Sequence, residues 1–164
     1  MTLTGNIALT AAAHWAGLYL PNVTVPPGAT INAATRLFYM SGDAGRQDPA
    51  LNWYAHDTDN AGVFTTTNSN ISTRTLTTAV VSDVASNIGT SAYRAVSIAS
   101  LIAEVVARPG WASGNGIALI GDAQSGCLLE IAAFDIGSNV WYVEIDYTAG
   151  GLVTRTMHYA RMME

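Results

Sequence analysis

Along most of the chain apolar and polar residues alternate one by one, the pattern of a strand with one wet and one dry face. Leu51, Trp53 and Ala55 alternate with Asn52, Tyr54 and His56, and Trp141, Val143, Ile145 and Tyr147 alternate with Tyr142, Glu144 and Asp146. The run from Ile117 to Ile120 is apolar without a break, which predicts a strand buried on both faces. Further strand patterns cover residues 3–9, 17–20, 33–40, 76–84, 93–96 and 127–134. Pro26 and Pro27 mark 23–31 as an edge segment with a turn, since proline has no N–H to give a central ladder. Gly150-Gly151 reads as a hinge. Beyond it Leu152, Thr154 and Thr156 alternate with Val153, Arg155 and Met157, the pattern of an added strand.

One stretch has a different period. Ile98, Leu101, Ile102, Val105 and Val106 recur at three- and four-residue spacing, which predicts one short amphipathic helix over 97–108. Ser97 is the expected N-cap, and Glu104 and Arg108 stand four apart, the spacing of a surface ion pair. Pro109 and Gly110 end the helix, with Gly110 expected to take a left-handed turn. Trp111 is expected to fold back on the core, together with Trp53 and Trp141, while Trp15 lies in a small-residue segment suited to packing on a neighbour. Many short strands, turn signals and a single helix predict an all-β, two-sheet sandwich. The expected organisation is residues 1–15 as an N-terminal arm or first strand, 16–147 as the β-sandwich domain and 148–164 as a C-terminal arm.

Composition narrows the function. At 164 residues the chain can bury its own core, and only 12% of it is charged while 49% is hydrophobic. Its surface is therefore built from Thr, Ser, Asn, Gly and Ala, which suits a protein packed against neighbours or a binding module. The net charge is -5 and no basic cluster occurs, which argues against nucleic acid as a partner. No segment is long and apolar enough to span a membrane, and the start MTLTGNIALTAAAHW lacks the charged and apolar regions of a signal peptide. The chain is thus expected to be made in a cytoplasm and, if it acts outside a cell, to get there by another route, such as assembly into a particle. The single Cys127 is expected in the core, without disulfide or zinc.

Candidate chemistry is sparse. Asp57, Asp59 and Asn60 crowd one corner and are the candidate calcium ligands; the alternative is a corner whose side chains cap backbone. Tyr54, His56, Tyr142, Glu144 and Asp146 are candidate ligand-binding residues that could share an outward sheet face and hold a sugar by stacking and hydrogen bonds. His14 and His158 are isolated and read as surface or interface histidines. Asp57, Asp135 and Asp146 are scattered, no Ser-His-Asp set has supporting context, and no cofactor is implied, so no enzyme is expected.

Three segments carry a family resemblance: Leu18 to Ile31, with its proline-glycine turn; Tyr54 to Ala61, continued by Phe64 and Ile71 to Thr75; and Arg108-Pro109-Gly110-Trp111-Ala112-Ser113-Gly114-Asn115. Together they resemble a family of jelly-roll β-sandwich domains found in phage virion structural proteins and in DNRLRE-like and carbohydrate-binding-module-like surface domains. The likeness spans about residues 16–147; at 128–139 the chain departs from the family's Arg-rich strand and Tyr-Asp-Gly turn. The resemblance implies a jelly-roll-like sandwich and a non-enzymatic role. The expectation is a bacteriophage capsid decoration (cement) or head/tail accessory protein, a homo-oligomer docked on a major capsid or tail protein. The alternative is a carbohydrate-binding module for host adsorption or polysaccharide attachment, with a glycan as partner.

Overall fold

The computed structural model describes residues 6–9, 12, 14–39, 47–65, 69–86, 88–89, 93–132, 141–150, 152–159 and 161–163. They form a two-sheet β-sandwich in which every strand pair is antiparallel. The strands are β1 (Asn6–Leu9), β2 (Trp15–Leu20), β3 (Thr30–Tyr39), β4 (Gln47–Asp48), β5 (Ala50–Ala55), β6 (Val81–Val84) and β7 (Tyr93–Ser97). After helix α1 (Ala99–Val106) follow β8 (Ile117–Ala123), β9 (Leu128–Ala132), β10 (Tyr142–Ala149), β11 (Leu152–Tyr159) and β12 (Arg161–Met163). One large sheet has the order β12-β2-β8-β5-β6 and the other β11-β10-β3-β7; β1-β9-β4 form a small third sheet.

The two-residue period does what it predicts. Leu51, Trp53 and Ala55 point inward from β5 and Val143, Ile145 and Tyr147 from β10, all buried, with Trp141 just before them. Leu18, Leu20 and Leu119 join them from the five-stranded sheet, and Ala34, Phe38 and Val96 from the four-stranded one. The unbroken apolar run of β8 is buried on both sides, as a strand with a packed layer on each face must be. Cys127 lies in the core, where burial pushes its thiol pKa up.

Helix α1 rests on β3 and β5, one strand from each large sheet, so its apolar stripe of Leu101, Ile102, Val105 and Val106 closes the sandwich between them. It is shorter than the 97–108 expected. Ser97 is not its cap: Ser97 is the last residue of β7, paired with Thr35, and the N-cap is the buried Ile98, which makes no side-chain cap. Strand pairing takes Ser97 before the helix can use it.

The C-terminal segment is built into the fold rather than left as an arm. Ala149 is paired to Leu152, and Gly150 takes φ 56°, the left-handed geometry of a tight turn, where the sequence read a hinge; Gly151 lies outside the described residues. β11 then pairs along the whole of β10, and β12 passes to the other sheet against β2. His158, expected at a surface or interface, is buried on β11, where its Nε2 lies 3.1 Å from the Thr156 hydroxyl oxygen and burial lowers its pKa. His14 is exposed.

Candidate functional site

The Asp57–Asn60 corner follows β5 directly. Its carboxylates are taken, but not by a metal: the Arg108 guanidinium donates from Nε to Asp59 Oδ1 at 2.7 Å and from Nη1 to Asp57. These bonds, the one to Asp59 foremost, raise the pKa of Arg108 further. Asn60 Oδ1 accepts the Gly116 N–H at 2.8 Å, and Asn115 Nδ2 donates to the Asp59 carbonyl at 2.9 Å. Asp57, Asp59 and Asn60, the candidate calcium ligands, here form a clasp for the turn after α1. Among the described residues no group of three or more His, Cys, Asp or Glu is placed to hold a metal ion.

The expected Glu104–Arg108 pair does not form either, because each side chain has better partners across the fold. Glu104 accepts the backbone N–H groups of Thr78 and Ala79, each at 2.7 Å. Arg108 turns to the aspartates.

The distinctive segment 108–116 is thus a structural weld. Trp111 is buried and its indole N–H donates to the Val25 carbonyl at 2.9 Å. Val23 and the turn exchange backbone bonds, Val23 N–H to the Asn115 carbonyl and Gly114 N–H to the Val23 carbonyl. Gly114, at φ 97°, is the left-handed residue here, not Gly110. Gly110 is needed for room: a Cβ there would run into the Asp59 carboxylate. These residues thus hold β5, the 21–25 segment and α1 together.

The five candidate ligand-binding residues do not share a face. Tyr54 on β5 and His56 just after it point outward from the five-stranded sheet, with Tyr54 paired beside Ile120. Tyr142, Glu144 and Asp146 point outward from β10, in the opposite sheet. The sequence period assigns each set an outward side but carries no information on which sheet a strand joins.

The outer face holding Tyr54 and His56 is partly covered. The chain after β5 folds back over it, and Ala61, Phe64 and Ile71 form a second small core with Ala118 and Ile120. Phe64 occupies the space above Gly17, where a Cβ would lie 2.6 Å from its ring. Arg74 holds the cover in place. Its guanidinium stacks 4.0 Å from the Phe64 ring centre and donates to the carbonyls of Gly62, Val63 and Asn70. His56 sits at the margin of this cover, bridged to Leu76, and burial, followed by the nearby charge of Arg74, lowers its pKa.

The outer face of the four-stranded sheet is different. Tyr142 meets Tyr93 of β7 edge to face, with ring centres 5.7 Å apart, and Arg155 of β11 donates to Asp146 at 3.0 Å and stands 3.6 Å from Glu144. Between them lie the smaller side chains of Ala33, Thr35, Leu37, Ala95 and Ser97. Aromatic edges, paired carboxylates and a guanidinium on a shallow surface can stack and hydrogen-bond.

Sequence reading missed the polar centre of the core. Arg36 of β3 is fully buried, stacked 3.9 Å over Trp53 and 4.3 Å over Phe38, and it donates from Nη2 to Asp83 at 3.1 Å. Asp83 is also buried and accepts from Arg94 as well. Desolvation pulls the Arg36 pKa down to about 9 against the opposing attraction of Asp83. The available signal was parity: Arg36 stands in step with Ala34 and Phe38, which point inward. Asp135 lies outside the described residues, and Asp57 lies in the corner after β5 while Asp146 stands on β10 of the other large sheet, so these two do not converge. No helix among the described residues is long and apolar enough to cross a membrane. No family model matches the chain, and neither a curated protein nor a solved structure matches it.

Proposed function

We propose that this chain is a non-enzymatic structural protein of a bacteriophage virion, a capsid decoration or head/tail accessory subunit that works by packing against copies of itself and a shell or tube protein. The observation that carries the assembly part is the four-stranded sheet's outer face, which ends in β11 with Val153 and Met157 exposed on a weakly charged surface. The phage setting is supported by the resemblance of segments 18–31, 54–75 and 108–115. Quantitative peptide mass spectrometry on purified particles tests it. The expected result is this chain at a copy number comparable to the shell or tube protein, or at a handful per particle for an accessory part. Absence from particles sinks the virion reading.

A second reading is favoured by one observation, the Tyr93–Tyr142 ring pair beside Glu144, Asp146 and Arg155. It is a glycan-binding module using this face for adsorption. It predicts saturable glycan binding that Tyr142→Ala removes and Tyr54→Ala, in the other sheet, leaves unchanged.

A further inference from the structure

We propose that Asn115-Gly116 is a latent self-modification site. Closed, the clasp at Asn60 keeps the pair inert; opened, it lets the Gly116 nitrogen attack Asn115 and convert it to aspartate or isoaspartate.

The first observation is the pair itself. Asn115 is the one asparagine of the chain that is followed by glycine. Asparagine is a thermolabile residue. A following glycine, with no Cβ to shield its nitrogen and the widest backbone freedom, leaves it most open to attack from the chain. The fold requires both members. A Cβ on Gly116 would lie 2.6 Å from the Tyr19 ring and 2.7 Å from the Ala61 carbonyl oxygen, so packing fixes a glycine there. The Asn115 side chain reaches from the turn to the corner after β5 and donates to the Asp59 carbonyl at 2.9 Å.

The second observation is that both reacting groups are occupied. The attacking atom, the Gly116 nitrogen, donates its hydrogen to Asn60 Oδ1 at 2.8 Å. The leaving group, Asn115 Nδ2, is tied to the Asp59 carbonyl. The peptide between them is pinned on both sides. The Asn115 carbonyl accepts the Val23 N–H at 2.9 Å, the Asn115 N–H donates to the Ala112 carbonyl at 3.1 Å, and the Gly116 carbonyl accepts the Ala61 N–H at 2.9 Å. Ring closure needs the Gly116 nitrogen to lose its proton and swing onto Asn115 Cγ, and each of these bonds resists that motion.

The step needs only water. The Gly116 nitrogen gives its proton to solvent base and bonds to Asn115 Cγ; the Cγ–Nδ2 bond breaks, and Nδ2 leaves as ammonia after taking up a proton. Water then opens the five-membered imide at either carbonyl, giving aspartate or isoaspartate. Neither product rebuilds the clasp. Aspartate sets a carboxylate against the Asp59 carbonyl that the amide served, two acceptors with no proton between them, in a corner that already holds the Asp57 and Asp59 carboxylates. Isoaspartate adds a methylene to the main chain just ahead of β8. Time spent with the clasp open is thus recorded irreversibly.

The test is peptide mass spectrometry of the purified full chain aged in mildly alkaline buffer, reading the amide-to-acid mass gain at Asn115 and separating isoaspartate. The folded chain is expected to convert about a hundredfold more slowly than chain held unfolded in urea, the worth of the two bonds on the reacting nitrogens. Asn60→Ala frees the Gly116 N–H and is expected to raise the folded rate about tenfold, while Asn60→Asp, which keeps an acceptor oxygen, holds it low. Val143→Ala, a core truncation in the other large sheet, weakens the fold without touching the clasp and is expected to stay slow. The unchanged chain gives a reading that needs no variant. In urea below the unfolding midpoint, the rate at Asn115 is expected to follow hydrogen exchange at the Gly116 N–H and to run ahead of global unfolding. Chain aged in urea and returned to buffer is expected to melt below chain passed briefly through the same urea. Equal rates in folded and unfolded chain, a rate that rises only with global unfolding, an Asn60→Ala rate no higher than that of the unchanged chain or matched by Asn60→Asp or Val143→Ala, or an aged chain that melts like the fresh one overturns the proposal.

Discussion

The two outer faces of this sandwich are treated in opposite ways. On the five-stranded sheet the chain covers itself: Phe64 packs above Gly17, Ile71 and Ala61 lie on β8, and Arg74 and Arg108 fasten the cover and its entry to backbone carbonyls and carboxylates. On the four-stranded sheet, Tyr93, Arg155, Val153 and Met157 stand half or largely exposed, and Tyr142 partly so. The cluster that looked most like a binding site in sequence, Asp57 to Asn60, belongs to the covered side and is consumed by folding. The side chains of that corner are engaged in holding the fold, so the more exposed face is the place to look for a partner.

The largest expected effect tests whether that bare face ends in a removable arm. Deleting residues 152–164 strips β11 from the length of β10 and β12 from β2, and it uncovers the inner face on which His158 is buried. A strand that pairs across eight residues and a link between both sheets are lost together, so no cooperative melt is expected by circular dichroism. A truncated chain that melts like the full one would make the segment an appendage after all.

Next in size is the cover. Phe64 is almost wholly buried although it lies outside any strand, and Phe64→Ala is expected to destabilise by about 3 kcal/mol, the low end for a buried phenylalanine. Urea unfolding gives the number. A loss below about 0.5 kcal/mol, the range of ordinary surface substitutions, would mean the cover is loosely held and the two faces are more alike than they look.

How much of this was legible in the sequence follows from what periodicity encodes. Inward and outward sides of β5 and β10 were readable because alternation is local, and so were the helix face and the buried Trp111. Sheet membership was not readable. Tyr54 and Tyr142 look equivalent along the chain, yet β8 claims β5 while β3 and β11 claim β10. Partners of charged groups were missed for the same reason: Glu104 and Arg108 are neighbours on a helix, but each finds a fixed partner from a segment 25 or more residues away. The Arg36–Asp83 pair joins residues 47 apart in the chain, and the Asp83 carboxylate together with the Trp53 and Phe38 rings offsets the cost of burying the guanidinium.

A smaller effect comes from pH and compares the faces through their histidines. His158, inward on β11, and His56, under the margin of the cover, both bind a proton less readily folded than their ordinary pKa of 6.5 implies. As pH falls through 6.5 the unfolded chain takes up these protons first, so stability falls, and the loss levels off below the folded values. For His158 the slope is at most about 1.4 kcal/mol per pH unit. Urea midpoints between pH 7.5 and 5 should flatten in part in His158→Gln and in part in His56→Gln. If only His56→Gln changes the slope, the acid-sensitive element is the cover alone.

The smallest effect is expected on the bare face, and it is informative because it is small. Val153 is so exposed that Val153→Ser removes almost no folded-state packing, and in dilute protein stability should stay within about 0.5 kcal/mol of the unchanged chain. At higher concentration the two should separate. Anything that binds the folded form alone adds stability by mass action, so self-association over the exposed side of Val153 would lend the unchanged chain a concentration-dependent increment that the variant lacks. A melting temperature that rises with concentration for the unchanged chain and stays flat for Val153→Ser places the missing contact on this face. Parallel behaviour of the two would send the search for a partner to another surface. An equal loss at every concentration would show that Val153 supports its own sheet, and the contrast between the two faces would then narrow to Phe64 and its cover.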